Sequence, residues 1–387
     1  MATIEAHDGA WRAENAIAET QGERFQAGKE DVGKLVARIG ELVVPRVASA
    51  SEIAHLRWVV EGCKWQGNWS WRGAFINVNP IPNESTPDLG SVLIFGKPGL
   101  SEAEEQGLWD ALCLLEGRTV QRLSTESYDA HGTLIQQIHH RGKPAPAESY
   151  PPFRFCGMDV ARDRISAIHE ALTGMHETSF NIEKILDHML FPTGGHMAHE
   201  ALHLSVAAHT IAHEWLKYWK NRSSHQDRVA QSRRAEQRKR GNVMKRRPFS
   251  RILPSLRSGV EGALNGIAAH DRVKANILRA VERSNELTMG ERLLQILEAD
   301  LQMPLDGDDR RALGYRNELA HQGGFAVDFF DLDYDEKNLR LEDINRLRNI
   351  VTEAVLRLCG YSGTIDDFTL PGGTRVISNT PLSPFHV

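Results

Sequence analysis

Residues 341–360 have the sequence LEDINRLRNIVTEAVLRLCG, and this stretch decides the fold class of the C-terminal half. Its apolar residues recur every three or four positions, which places them on one face of an α-helix. That face consists of Ile344, Leu347, Val351, Val355 and Leu358. Because Gly360 stands where a helix commonly ends, the stretch predicts a helix over 341–359.

The same periodicity continues backwards from this helix, and strand patterns nearly vanish beyond residue 155. Further helices are predicted over 159–173, 180–190, 197–220, 256–284, 287–300 and 308–322. Such a series of helices favours a bundle. We therefore expect an all-helical domain over 155–362 and a C-terminal tail over 363–387.

The N-terminal half has a mixed pattern. Residues 8–62 contain helix-like spacing, above all over 32–43. Ser101 and Glu104 have the spacing of a capping box and predict a helix ending near Gly117. Short apolar runs between turn residues predict strands near 74–78, 91–95, 118–125 and 132–138.

A proline-rich connector separates the two patterns, with Pro144, Pro146, Pro151 and Pro152 in close succession. We expect a domain boundary there, after a mixed α/β N-terminal domain over 1–150. The predicted fold class of the whole chain is α+β. The cluster Trp65, Trp69 and Trp71 is more typical of a core than of a ligand cage.

Length and composition limit the class of protein. A chain of 387 residues favours two domains, and 41% hydrophobic with 25% charged residues is the balance of a globular protein. The polar N-terminus does not resemble a secretory signal, and no apolar run approaches the roughly 20 residues of a membrane helix. The scattered Cys63, Cys113, Cys156 and Cys359 favour buried free thiols. We therefore expect a cytoplasmic protein with no membrane partner.

The stretch that carries the most chemistry is GYRNELAHQGG, residues 314–324. On a helix, Asn317 and His321 lie one turn apart on the same face, and the long side chain of Arg316 can reach the same place. The glycines at 323 and 324 predict a helix end just past His321. There the negative end of the helix dipole favours a protonated imidazole.

These residue types suit the cleavage of RNA without a metal, because the ribose 2′-hydroxyl can itself be the nucleophile. Histidine can give and take a proton near neutral pH. Arginine offers a permanent charge and a fork of donors that matches phosphate oxygens. Asparagine can orient either group without adding charge. No cofactor is expected for this chemistry.

The Arg-Asn-x-x-x-His pattern at 316–321 resembles the signature of the HEPN superfamily, which lies on a helix of a small bundle. The ending LRLCG at 356–360 also looks like the Apea-like branch of that superfamily. The segment LLEGR at 114–118 is similar to N-terminal domains attached to such modules in prokaryotic anti-phage proteins. The resemblance covers about 180–360.

What the resemblance implies is an endoribonuclease that acts as a homodimer, with two motifs facing one scissile phosphate. Arg316 would bind or polarise the phosphate, Asn317 would position the site, and His321 would act as general acid or base. The products would end in a 2′,3′-cyclic phosphate or 3′-phosphate and a 5′-hydroxyl. The expected role is abortive anti-phage defence or that of a toxin, with the N-terminal domain sensing a trigger or regulatory partner.

Charge points to the same substrate. Residues 220–251 contain twelve Lys and Arg residues against Asp227 and Glu236, a local balance of +10 in a chain of net charge −5. Such a block attracts phosphates, although a solvated loop is the alternative. The residues expected to contact RNA are Arg233, Arg234, Arg238, Lys239, Arg240, Lys245, Arg246 and Arg247.

Two other functions remain open. A module of the same fold could hold RNA or a partner without cutting it. The sequence HEALH at 199–203 could bind zinc through His199 and His203, with Glu200 activating water as in a zinc peptidase. Against this, Val206 stands where a metzincin needs glycine to turn the chain toward His209, and the apolar pattern continues as one helix.

Overall fold

The structure is a computed structural model that describes part of the chain with its side chains. Those residues are 53–81, 88–97, 99–140, 149–153, 164–178, 180–191, 197–219, 252–265, 271–281, 288–315 and 331–385. Only the backbone is described for 2–6, 9–14, 17–18, 37–38, 41–45, 158–163, 220–221, 247–251, 282–283 and 316–322.

The chain has a mixed α+β fold and divides into two compact units. Unit 1 comprises Met1–Gly195, Leu356–Ser378 and Leu382–Val387. Unit 2 comprises His196–Val355 and Asn379–Pro381. These units do not coincide with the domains predicted over 1–150, 155–362 and 363–387. The boundaries of those domains stay a prediction.

Unit 1 contains a nine-stranded antiparallel sheet in the order β1-β2-β5-β11-β10-β6-β9-β8-β7. The strands of this unit are β1 (Ala2–Ala6), β2 (Gly9–Glu14), β3 (Ile17–Ala18), β4 (Ala37–Arg38), β5 (Glu41–Pro45), β6 (His55–Glu61), β7 (Gly67–Trp71), β8 (Ala74–Pro80), β9 (Leu89–Phe95), β10 (Gln121–Tyr128), β11 (Leu134–His140), β12 (Gly363–Asp367) and β13 (Gly373–Ile377). Side chains of β7 alternate between buried and exposed, as expected for a strand with one covered face.

The described residues of unit 1 form the helices α1 (Glu102–Glu116), α2 (Met158–Glu177) and α3 (Ile182–Met189). The capping box predicted at the start of α1 is confirmed, because Ser101 and Glu104 accept each other's backbone N–H. Gly117 ends this helix in the left-handed conformation that glycine adopts without strain. Helix α2 packs on α1 and on β7, and the hairpin of β12 and β13 lies beside it.

The helix predicted over 32–43 is wrong where the backbone is described, because residues 37–38 and 41–43 lie in strands. Strand β5 pairs with both β2 and β11. The run Leu42-Val43-Val44 fits a strand as well as a helix by sequence alone, and pairing with distant strands decides between them. The four strands predicted between 74 and 138 are confirmed as β8 to β11.

Among the described residues of unit 2, every secondary-structure element is a helix. Its helices are α4 (Met197–Asn221), α5 (Arg247–Asn265), α6 (Asp271–Arg283), α7 (Met289–Gln295), α8 (Gly307–Gln322) and α9 (Tyr334–Leu358), with a π-helical turn at Ile296–Asp300. Helix α9 begins in unit 2 and its last three residues count with unit 1. The predicted apolar face of α9 is confirmed, since all five of its residues are buried.

The predicted core role of Trp65, Trp69 and Trp71 is confirmed, because each is at most 5% exposed. Cys63, Cys113 and Cys359 are buried free thiols, while Cys156 lies outside the described residues. Among the helices in the described part of the chain, none combines the length and hydropathy needed to span a bilayer.

Candidate active site on the motif helix

Helix α8 carries the Arg-Asn-x-x-x-His motif in its last two turns. The helix predicted over 308–322 is confirmed as an unbroken helix over Gly307–Gln322. The backbone therefore places Asn317 and His321 one helical turn apart. The side chains of Arg316, Asn317 and His321 lie outside the described residues, so their convergence on one phosphate stays a prediction.

The start of α8 is fixed by a reciprocal pair of caps. The Asp306 carboxylate accepts the backbone N–H of Asp309 at 2.8 Å, and the Asp309 carboxylate accepts that of Asp306 at 3.2 Å. The first of these bonds holds the pKa of Asp306 below its usual value. Arg346 of α9 pairs with both carboxylates, at 3.2 and 3.4 Å. The N-terminal end of the motif helix is thus bound to α9 by charge.

The middle of α8 is bound to α9 by a buried carboxylate, Asp343, which is 0% exposed. The Tyr315 hydroxyl donates to its Oδ2 at 2.5 Å. Arg311, one helical turn earlier, donates from Nη2 to its Oδ1 at 2.8 Å and from Nε to Oδ2 at 3.3 Å. The guanidinium of Arg340 lies over the Tyr315 ring, 4.6 Å from the ring centroid. Asp343 therefore receives donors from two successive turns of the motif helix.

Tyr315 remains a hydrogen-bond donor at any physiological pH. Burial, followed by the bond to Asp343, raises the pKa of its phenol to about 12. Neither Tyr315 nor Asp343 stood out in the sequence. The available signal was that Asp343 adjoins Ile344 on the apolar face of α9, where an unpaired carboxylate is costly and demands donors.

The zinc motif has a different environment from the one a peptidase needs. Helix α4 runs without a break from Met197 to Asn221, as predicted, so the chain does not turn after His203. Glu200 is ion-paired with Arg348 of α9, which also donates to Asn345 at 2.8 Å. The structure, as far as it describes side chains, contains no group of three or more His, Cys, Asp or Glu that could hold a metal ion.

Most of the basic segment lies beyond the part of the chain that the structure describes. Residues 222–246 lie outside the described residues, and so do the side chain of Arg247 and the two glycines after the motif. The expected RNA contacts of Arg233, Arg234, Arg238, Lys239, Arg240, Lys245, Arg246 and Arg247 therefore stay a prediction.

Unit 1 contains a cleft of about 560 Å³ that sequence reasoning did not identify. Within it, Arg122 lies 4.9 Å from the Trp58 ring centroid and 5.8 Å from that of Trp109, and it pairs with Glu105. Burial lowers the pKa of His140 to about 4, so that its ring is neutral at pH 7. The cleft is lined by Glu102, Glu105, Gln106, Trp109, Thr119, Val120, Gln121, Arg122 and His140.

Comparison of the chain with protein-family models, with curated proteins and with solved structures finds no match in any of the three.

Proposed function

We propose that the chain is a metal-independent endoribonuclease of the HEPN type. The observation that carries the proposal is the position of Arg316, Asn317 and His321 on one unbroken helix within a helical unit. A guanidinium, an amide and an imidazole within six residues of one helix supply phosphate binding, orientation and proton transfer.

In this proposal RNA provides the nucleophile. His321 takes the proton of a ribose 2′-hydroxyl or gives one to the leaving 5′-oxygen, and Arg316 stabilises the charge that develops on the phosphate. Asn317 positions one of the two groups. Because one motif supplies a single imidazole, a second copy facing the same phosphate would supply the complementary acid or base. We therefore propose a homodimer or higher homo-oligomer as the active form.

The setting of HEALH favours this function over a zinc peptidase. Glu200 is committed to Arg348, and a carboxylate in that ion pair is poorly placed to activate a metal-bound water. We further propose that the protein acts in the cytoplasm, in abortive anti-phage defence or as a toxin. The N-terminal part would sense a trigger or regulatory partner, and the cleft beside Arg122 is one place where a small polar ligand could enter.

The test is incubation of the purified chain with a short end-labelled RNA in the presence of EDTA. The proposal requires cleavage that yields 5′-hydroxyl ends together with 2′,3′-cyclic phosphate or 3′-phosphate ends. A parallel RNA with 2′-O-methyl groups at the cut positions should stay intact, because its nucleophile is blocked. RNA binding without cleavage would instead favour the non-catalytic module of the same fold.

A further inference from the structure

We propose that Asp343 is a positioning residue for the Arg-Asn-x-x-x-His motif, acting through Tyr315 and Arg311. This inference rests on the proposed ribonuclease function. The geometry that carries it is the convergence of three donor atoms from α8 on one carboxylate that is 0% exposed. Tyr315 directly precedes Arg316 in the chain, so the fixed point adjoins the motif.

Two attachment points one turn apart determine the rotation of a helix as well as its height. Apolar contacts between helices are not directional and tolerate small shifts, whereas hydrogen bonds weaken steeply as their angles change. Side chains reach a radius of about 5–6 Å from a helix axis, so a rotation of about 20° displaces their ends by about 2 Å. A displacement of about 1 Å can already cost about 100-fold in rate. Rotation of α8 is therefore the variable to which the motif is most sensitive.

The effect should be local, because α8 has a second attachment at its other end. Its N-terminal end is held by the caps of Asp306 and Asp309 and by Arg346, several residues before the motif. His321 lies six residues beyond Tyr315, about 9 Å along the axis. Removing the Tyr315 hydroxyl removes the attachment nearest the motif, while the other end of α8 keeps its contacts.

The Tyr315 ring also contacts Arg340, whose guanidinium lies 4.6 Å from the ring centroid. A Tyr315→Phe substitution keeps this contact and the volume of the ring, and removes the hydroxyl alone. Asp343 then retains the donors of Arg311, so the buried charge is not left without partners. The variant therefore isolates the orienting bond from general loss of the fold.

The experiment compares Tyr315→Phe with two controls, Tyr334→Phe and Arg346→Gln. Tyr334 is 77% exposed on α9, and Arg346 belongs to the other attachment of α8. Cleavage of RNA in EDTA is measured for kcat, KM and the pH dependence of kcat. Amide hydrogen exchange is measured over 316–322. For Tyr315→Phe we expect kcat to fall at least tenfold, KM to stay within about threefold, and the pH dependence to keep its midpoints.

If the wild-type chain cleaves RNA, the kcat values of the variants test the positioning role. A kcat of Tyr315→Phe within twofold of Tyr334→Phe, or an equal fall in Arg346→Gln, overturns the positioning role. If wild type does not cleave, the proposed function fails and exchange decides the positioning role alone. Faster exchange over 316–322 in Tyr315→Phe but not in Arg346→Gln supports it, and unchanged exchange overturns it.

Discussion

Glu200 of α4 and Arg348 of α9 form an ion pair in which both side chains are at most 15% exposed. Glu200 belongs to HEALH, which the sequence offers as an alternative site, whereas Arg348 belongs to an Arg-Asn dipeptide that no histidine follows. The structure pairs the two with each other. Both residues thereby gain a structural role in joining α4 to α9.

This pairing predicts a stability effect. Glu200→Ala leaves the Arg348 charge largely buried without its partner carboxylate, and we expect the free energy of unfolding to fall by about 3 kcal/mol. Replacing both residues, as Glu200→Leu with Arg348→Met, should recover most of that loss. Urea unfolding of Glu200→Leu, Arg348→Met and the double variant measures the coupling. As a control, Arg310→Ala breaks the more exposed pair with Glu298 and should cost under about 1 kcal/mol. Equal losses of unfolding free energy in Glu200→Ala and Arg310→Ala would contradict a structural role for the buried ion pair.

The C-terminal residues complete the core of unit 1. Phe385 is 0% exposed and lies 4.9 Å from the Phe180 ring, and a methyl group on Gly174 of α2 would overlap the Phe385 carbonyl oxygen. We expect Gly174→Ala to lower the free energy of unfolding by about 2–3 kcal/mol, since backbone must move to admit it. Gly259→Ala, exposed on α5, should instead raise it by up to about 1 kcal/mol. Thermal unfolding that ranks the two variants the other way would disprove the packing.

A buried imidazole makes unit 1 sensitive to acid. His169 accepts the Trp69 indole N–H at 3.3 Å and is 0% exposed, and burial lowers its pKa to about 3. In the unfolded chain the ring takes up a proton as the pH falls through about 6.5, while the folded protein does not. The unfolded state then binds more protons, so stability falls from about pH 6.5 towards pH 3, by about 1.4 kcal/mol per pH unit.

His169→Gln keeps an acceptor for Trp69 but does not titrate. Between pH 6.5 and 5, wild type should therefore lose about 2 kcal/mol more than this variant. His131→Gln, at an exposed turn position, should follow wild type. The measurement is urea unfolding at several pH values. Parallel curves for wild type and His169→Gln would show that His169 is not held neutral in the fold.

The basic segment should govern RNA affinity and not chemistry. We expect replacement of Arg238, Lys239 and Arg240 by Glu to weaken RNA binding at least tenfold. Each lost phosphate contact lowers the slope of log K against log salt concentration by about 0.7, so the three substitutions together should lower it by about 2. The control reverses Arg272, Lys274 and Arg279 of α6, which changes the net charge equally. Binding is measured by fluorescence anisotropy at several salt concentrations, and kcat at saturating RNA should stay near wild type. Equal losses of RNA affinity in both triple variants would show that net charge alone, and not the basic segment, governs binding.

The sequence predicted the helices well because their apolar residues repeat over many turns. It failed in the described part of 32–43, where a short apolar run fits either period and the partners β2 and β11 of strand β5 lie far away in the chain. It assigned no strands to the C-terminal tail, although β12 and β13 form a hairpin there. The hydrogen bonds of Asp343 could not be predicted from the sequence, because the register between α8 and α9 depends on tertiary packing. The position of the motif on a helix, by contrast, followed from local pattern.

The most direct test of the central claim is single-turnover cleavage of a short RNA in EDTA by wild type, His321→Ala and a matched His199→Ala control. His199 lies exposed on α4, outside the proposed chemistry. The account predicts that wild type and His199→Ala cleave at similar rates, whereas the cleavage rate of His321→Ala is lower by roughly 10²- to 10⁴-fold. Undiminished cleavage by His321→Ala, or cleavage that EDTA abolishes in wild type, would contradict it.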